Sequence, residues 1–316
     1  MANKRIQRER KLIIILAALS VLFFALTFGI RAAENRKTDE NQVYIDEATM
    51  ADLPKFVEVT DSAGHFVLED EKGYWYLEGN RDLPIDGLKV TETRSVSKYF
   101  APGRILTGQK DNMAGFGLED PQATVTLKAD TGEITYLIGD FNPVTNEYYV
   151  SLKDSDTVYL IPRKDGESLK KTLLEYVDEP AIAKASFSDI SVIMVKSSDG
   201  AYIITADSGR YILQNTEGTF EIDQAKAMEI FNCFTSSVYY RCVEYDCTAE
   251  GLRDYGLDDP SVLVRFRLAD DGTETGLRVS EGPDGAYYIT DDDGKIVYTI
   301  SEDDYNDLRK KIKINR

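Results

Sequence analysis

Phe116-Gly117-Leu118-Glu119-Asp120-Pro121 recurs as Tyr255-Gly256-Leu257-Asp258-Asp259-Pro260, 139 residues further on. In both copies the glycine permits positive φ and the proline forbids helix continuation, so the hexapeptide ends a short helical turn and launches a strand. The same offset carries Tyr148-Tyr149-Val150 onto Tyr287-Tyr288-Ile289, and Val158, Tyr159 and Ile161 onto Val297, Tyr298 and Ile300. Leu169-Lys170-Lys171 likewise meets Leu308-Arg309-Lys310. Upstream the offset becomes 136: Val57 and Val59 match Ile193 and Val195, Gly64 and Gly73 match Gly200 and Gly209, and Trp75 and Leu77 match Tyr211 and Leu213. Self-similarity over this length reads as two tandem copies of one module, residues 55–178 and 189–313.

Each copy presents the same order of local signals. Alternating apolar runs at 56–60, 65–70 and 74–78, parted by glycine-containing turns, predict a three-stranded meander; its counterpart is 191–196, 201–206 and 210–214. A helix follows. In the second copy Asp223 is its N-cap, and Ala227, Ile230, Phe231, Phe234 and Val238 fall on one face. In the first copy it spans about 86–99, with Val96, Tyr99 and Phe100 as its apolar contacts. After the repeated hexapeptide come four strands, near 122–128, 133–139, 147–152 and 157–161, and a closing helix at 165–177 or 302–312. Runs of antiparallel strands with occasional helices predict an α+β fold rather than a doubly wound parallel sheet.

Ahead of the modules, Leu12–Ile30 is a nearly unbroken apolar run. As a helix of about 1.5 Å rise per residue it matches the roughly 30 Å of a bilayer's hydrocarbon core. Five basic residues (Lys4, Arg5, Arg8, Arg10, Lys11) precede it against Glu9 alone, so the positive-inside rule puts the N-terminus in the cytoplasm and the modules outside. A cleaved signal peptide is the competing reading, but the run is long for one, and Arg31 stands where cleavage needs a small neutral residue. No cysteine near residue 30 would carry a lipid. A core helix fits poorly with a run that is apolar on every face. The expected organisation is therefore a cytoplasmic segment 1–11, a transmembrane helix 12–30, a polar stalk 31–54, and two antiparallel-sheet-plus-helix modules at the cell membrane's outer side.

Charge divides the chain the same way. Residues 1–31 hold six basic groups and one acidic; the remainder holds 31 basic against 54 acidic, a net −23 within a whole-chain −18. Such an exterior excludes nucleic acid as a partner, because phosphate binding needs clustered Lys and Arg. One histidine, His65, in a turn and without a partner in view, removes multi-histidine zinc sites and most histidine-assisted nucleophiles. The three cysteines, Cys233, Cys242 and Cys247, lie within fifteen residues; Cys242 and Cys247 are placed to pair across a turn, leaving Cys233 as a small buried residue.

No stretch carries a reaction. The recurring pairs Glu119-Asp120 and Asp258-Asp259 are the carboxylates a glycosidase would need, but they precede proline in a turn, where acids accept backbone N–H groups in water. Asp291-Asp292-Asp293-Gly294 lacks the ligand spacing and closing glutamate of a calcium loop, and Asp140-x-Asn142 breaks at Pro143. Nucleophile elbows, phosphate loops and dinucleotide fingerprints do not occur in the sequence. Among 19 tyrosines, the neighbours Tyr74-Trp75-Tyr76, Tyr148-Tyr149, Tyr239-Tyr240 and Tyr287-Tyr288 put one ring inward and the next outward on a strand. Outward rings serve either as cross-strand pairs or as platforms for sugars. No catalytic, cofactor-binding or metal residue is assigned, and no cofactor is expected.

The apolar N-terminal run, the repeated aromatic-Gly-Leu-x-x-Pro turn, the strands ending in Tyr-Tyr-Val and Val-Tyr-Leu-Ile, and the Gly-x-Trp-x-Leu meander together resemble the bacterial domain-of-unknown-function 4340 family over nearly all of residues 55–313. The resemblance implies proteins that accompany ABC-type exporters of the gliding-motility-associated class. It carries no catalytic residues. The leading expectation is a non-enzymatic, single-pass accessory or interaction subunit of an ABC-type envelope export system, with membrane proteins as partners. The alternatives are a cell-wall or polysaccharide-binding module and, third, an unrecognised carboxylate-based hydrolase.

Overall fold

The structure, a computed structural model, describes residues 49–180, 185–235 and 240–314. The expected cytoplasmic segment, transmembrane helix and most of the stalk lie outside the described residues, as do Val238 and Tyr239. Among the described residues no helix is long and apolar enough to cross a membrane.

The elements in chain order begin with β1 (Phe56–Asp61), β2 (Gly64–Glu71), β3 (Tyr74–Leu77), α1 (Gly87–Lys98), β4 (Arg104–Leu106) and a 3₁₀ turn, Lys110–Phe116. They continue with β5 (Ala123–Ala129), β6 (Gly132–Asn142), β7 (Glu147–Leu152), β8 (Val158–Pro162), α2 (Arg163–Leu169) and α3 (Leu173–Tyr176). The second series is β9 (Ile190–Ser197), β10 (Gly200–Asp207), β11 (Arg210–Asn215), β12 (Gly218–Ile222), α4 (Gln224–Thr235), β13 (Arg241–Glu244) and a second 3₁₀ turn, Gly251–Tyr255. It ends with β14 (Val262–Leu268), β15 (Glu274–Glu281), β16 (Tyr287–Asp291), β17 (Val297–Ile300) and α5 (Glu302–Lys311).

The strands form two sheets, of order β3-β2-β1-β5-β6-β7-β8-β4 and β12-β11-β10-β9-β14-β15-β16-β17-β13. Strand for strand the orders coincide, with β12 the one addition. The strands pair antiparallel, as in Val59↔Val125 of the first sheet and Val195↔Val264 of the second. By contacts the chain divides into two compact units: one runs through Val67 and resumes at Thr91–Lys170, the other joins Leu68–Val90 to Lys171 onward. The division passes through β2 and α1.

Alternation sets the core. In the first sheet Val57, Val59, Leu68, Val125 and Leu127 are buried while their neighbours face water. Phe100 packs on Tyr136 and Tyr159, with ring centroids 5.6 and 5.3 Å apart. Helix α1 buries Val90, Thr93, Val96 and Ser97, and the Thr93 hydroxyl donates to the Ser168 carbonyl at 2.6 Å. Its mixed apolar and hydroxyl face is why its pattern in the sequence is faint. In the second sheet α4 lays Phe231 and Phe234 edge-on against Phe266 of β14, at 5.7 and 5.8 Å. Helix α5 is capped by the Ser301 side chain, which accepts from the Asp304 N–H, and carries three acids in its first turn and three bases in its last. Both features suit the helix dipole.

Several expectations need correction. Tyr99 is 68% exposed and contributes nothing to the α1 contact; Val96 and Phe100 do. The closing helix of the first module is two short helices, because Thr172 starts a new turn with a capping box to Glu175. Strands β4, β12 and β13 add to the expected set. His65 stands in β2 rather than a turn, with Nδ1 3.1 Å from the Thr60 hydroxyl.

The repeated hexapeptide builds the same joint in both sheets. Gly117 (φ 69°) and Gly256 (φ 66°) are left-handed. Their N–H groups donate to Ala114 and Arg253, and the next N–H groups, of Leu118 and Leu257, reach back to Met113 and Leu252 at 3.0 and 2.9 Å. This is the Schellman pattern, with the apolar contact that accompanies it. Leu118 and Leu257 are buried, and Leu252, Leu257, Tyr288 and Val297 form one cluster. The joint also presses on the sheet: a Cβ on Gly256 would lie 2.8 Å from the Glu281 carbonyl oxygen, and one on Gly117 2.9 Å from the Asp140 backbone nitrogen. Gly256→Ala should therefore cost about 2–4 kcal/mol, the left-handed penalty plus the collision. Gly272→Ala, at φ 72° with open space around it, should cost only about 1 kcal/mol. Urea unfolding of both variants checks this; equal losses would show that the close approach carries no energy.

Candidate interaction face

The residues weighed from the sequence as site candidates resolve into structural parts. Glu119, Asp120, Asp258 and Asp259 are exposed, and Asp258 pairs with Arg253 at 3.4 Å. Trp75 is buried at 6% exposure, and the ring that faces water beside it is Tyr74 at 71%. Arg81 lies over the Tyr76 ring, 4.2 Å from its centroid. The paired tyrosines are absorbed by the repeated joint: Phe116 packs on Tyr149 at 4.9 Å and Tyr255 on Tyr288 at 4.8 Å, equivalent contacts in the two sheets. On the opposite side, Tyr287 stacks on Tyr305 of α5 at 4.4 Å. The first module has Gly166 at the position of Tyr305, where a Cβ would run into the Tyr148 ring.

All three cysteines are free thiols. Burial pushes Cys233 and Cys242 up to about 12, so neither is a thiolate at neutral pH. Among the described residues no group of three or more His, Cys, Asp or Glu is arranged to hold a metal ion. The acidic run 291–293 is dispersed by its own geometry. Asp291 accepts from the Gly294 N–H at 3.1 Å, and Asp292 meets Arg265 at 3.4 Å across the space left by Gly276.

What remains open is a face of the second sheet. Near β16 and β17 that face is covered by the 3₁₀ turn, through Leu252 and Leu257 on Tyr288 and Val297. Toward β9, β10, β11 and β14 it carries a shallow groove of about 500 Å³, lined by Met194, Ala201, Ile203, Gln214, Leu263 and Arg265 among others. Register defines it. One row across the strands reads Gln214, Ile203, Met194, Arg265; the next reads Ala201, Lys196, Leu263. Ile203 is 40% exposed and Met194 and Leu263 half-buried, so apolar surface lies in water there. Lys196 is exposed and forms no ion pair among the described residues. The groove's volume falls in the range of binding clefts, roughly 300–1,000 Å³. In the sequence its residues fall between the buried positions of separate strands, so no alternation marks them as a group.

Fold and face together give two antiparallel sheet modules, the second carrying a partly apolar groove beside the unpaired Lys196. The chain belongs to the DUF4340 family: residues 75–243 match the model of that domain of unknown function. The matched span, just over half the chain, runs from β3 to β13 and is shorter than the 55–313 over which the motifs extend. No curated protein and no solved structure matches the chain.

Burial raises the Asp291 carboxyl above its ordinary range, against the pull of the Gly294 N–H. A carboxyl raised on folding stabilises below its unfolded pKa and loses that contribution as pH rises through the folded one. Asp291→Asn, which keeps the acceptor for Gly294, should therefore raise the melting temperature at pH 7 and make no difference near pH 3. A calcium-dependent gain in melting temperature, abolished by the same substitution, would instead reveal a cation site.

Proposed function

We propose that this protein is a membrane-anchored, non-enzymatic interaction subunit of an ABC-type envelope export system, holding two copies of one sheet module outside the membrane. The observation that carries the reading is the open groove on the second sheet: apolar surface beside the unpaired Lys196, on a chain whose charge is otherwise strongly acidic. Isolated apolar residues in water need no explanation; these are contiguous, rimmed by polar residues and set in a groove, an arrangement that suits a contact surface. The anchor rests on the apolar run Leu12–Ile30 behind its basic cluster. Duplication of one module is supported by the shared 139- and 136-residue offsets and by the matching strand orders. The transporter setting comes from the family resemblance. Short-range crosslinking in intact cells, followed by mild solubilisation and purification of the full-length chain, should return it in a stoichiometric complex with an integral membrane protein carrying an ABC-type partner. Recovery of the chain alone at saturating crosslinker would refute the proposal.

A further inference from the structure

The two sheets place different chemistry at equivalent outward stations, and the difference points to what docks. Met194 and Arg265 stand opposite each other between β9 and β14; the same register in the first sheet sets Glu58 opposite Thr126. Lys196 and Leu263 correspond to Thr60 and Thr124, and Ile203 and Ala201 correspond to Val67 and His65 at the 136-residue offset. On the first sheet Val67 is apolar like Ile203, and the polar groups around it satisfy one another. Lys128 pairs with Glu58 at 2.7 Å, Thr126 bonds Thr135 at 2.9 Å, and Thr60 meets His65 at 3.1 Å. On the second sheet the apolar floor faces water and the Lys196 ammonium has no counter-ion among the described residues.

We infer that the face of β9, β10 and β14 binds an acidic amphipathic helix of a partner protein, apolar residues on Met194, Ile203 and Leu263 and a carboxylate at Lys196, beside an Arg265 that Asp292 already holds at 3.4 Å. A helix fits the surface. Three adjacent strands at about 4.8 Å spacing present a floor about as wide as one helix. Its inner face already receives α4 in this way, so a helix on the outer face completes a third layer. Charge selects among helices: the partner meets the unpaired Lys196 on one side of the groove and the neutral Gln214, Asn215 and Thr216 on the other. A basic helix would be favoured by the acidic remainder of the chain but repelled at this groove, so local and global charge give opposite signs, which makes the inference testable.

This inference rests on the interaction reading above. The probe is a synthetic helical peptide of about 18 residues, long enough to hold helix when docked, with leucines at one-face spacing bordered by glutamates. A control peptide carries lysines in their place. Fluorescence anisotropy on the full-length chain in mild detergent should show binding of the glutamate peptide, weakened by added salt, and none of the lysine peptide. Lys196→Glu should lower the affinity by about tenfold or more, with the unfolding midpoint unchanged. Ile203→Asp should do the same through the floor, while Thr60→Glu, the station on the first sheet that matches Lys196, should leave binding intact. Equal binding of both peptides, no binding of either, or capture by anionic phospholipid vesicles in place of the peptide would overturn it. A blank titration beside an intact crosslinked complex overturns the face alone; loss of the complex overturns the interaction reading with it.

Discussion

A left-handed glycine held against a neighbouring strand is the constraint on which both sheets depend. The chain must leave a 3₁₀ turn and enter β5 or β14, a strand at the centre of its sheet, within a few residues. Gly117 and Gly256 make that change of direction, and the space they leave lets the turn sit directly on the backbone of β6 or β15. From this placement the rest follows in order. The residue after the glycine, Leu118 or Leu257, is driven into the sheet, and the aromatic before it, Phe116 or Tyr255, lands on the second tyrosine of β7 or β16. Backbone geometry, apolar burial and ring packing therefore agree at one hexapeptide, the consistency expected of a segment that specifies its fold.

Much of the architecture is legible because period-2 alternation is strong where one sheet face is buried. Strands β1–β3 and β9–β11 lie within a residue or two of their expected limits. Legibility fails where the physical signal is short or local. Strand β4 is Arg104-Ile105-Leu106, too brief to alternate, and β13 is interrupted by a register shift between Cys242 and Glu244. Strand β12 follows the turn at Asn215, whose side chain accepts from the N–H groups of Glu217 and Gly218, a bond that composition does not announce. Helices α2 and α3 read as one because Lys170, Lys171 and Thr172 are compatible with helix, and only the capping box at Thr172 divides them. Tyr99 follows the last residue of α1, where helical periodicity no longer governs which way a side chain points.

The candidate face is legible only by comparison within the chain. Met194, Ile203 and Leu263 taken singly are ordinary residues of strands, and each could be a buried position in another register. Pairing β9 with β14 places them on the side opposite Ile193, Val195, Val262 and Val264, all buried. Met194, Lys196, Leu263 and Arg265 then stand out because the first module fills their stations with Glu58, Thr60, Thr124 and Thr126, while Ile203 matches Val67, apolar in both copies. The offset that reveals the repeat thus also contains the contrast, once residues are sorted by face and not by strand.

The contrast has an energetic meaning. Replacing threonine and glutamate by leucine and methionine on a solvated strand face gains little for folding, since the side chains remain partly in water, and it adds a hazard of self-association. The inner face does not require it: Phe266, Val264 and Ile193 are buried whatever stands opposite. Nor do the cations repair it, for Arg265 meets Asp292 at 3.4 Å on a largely exposed pair, which is worth a fraction of a kcal/mol to stability, about 0–1 at most. A surface that folding does not reward, on a module whose counterpart shows a polar solution to the same geometry, is best accounted for by an occupant. In the proposed complex the cost of leaving it bare is offset, because the docked helix removes Met194, Ile203 and Leu263 from water and meets the charge of Lys196.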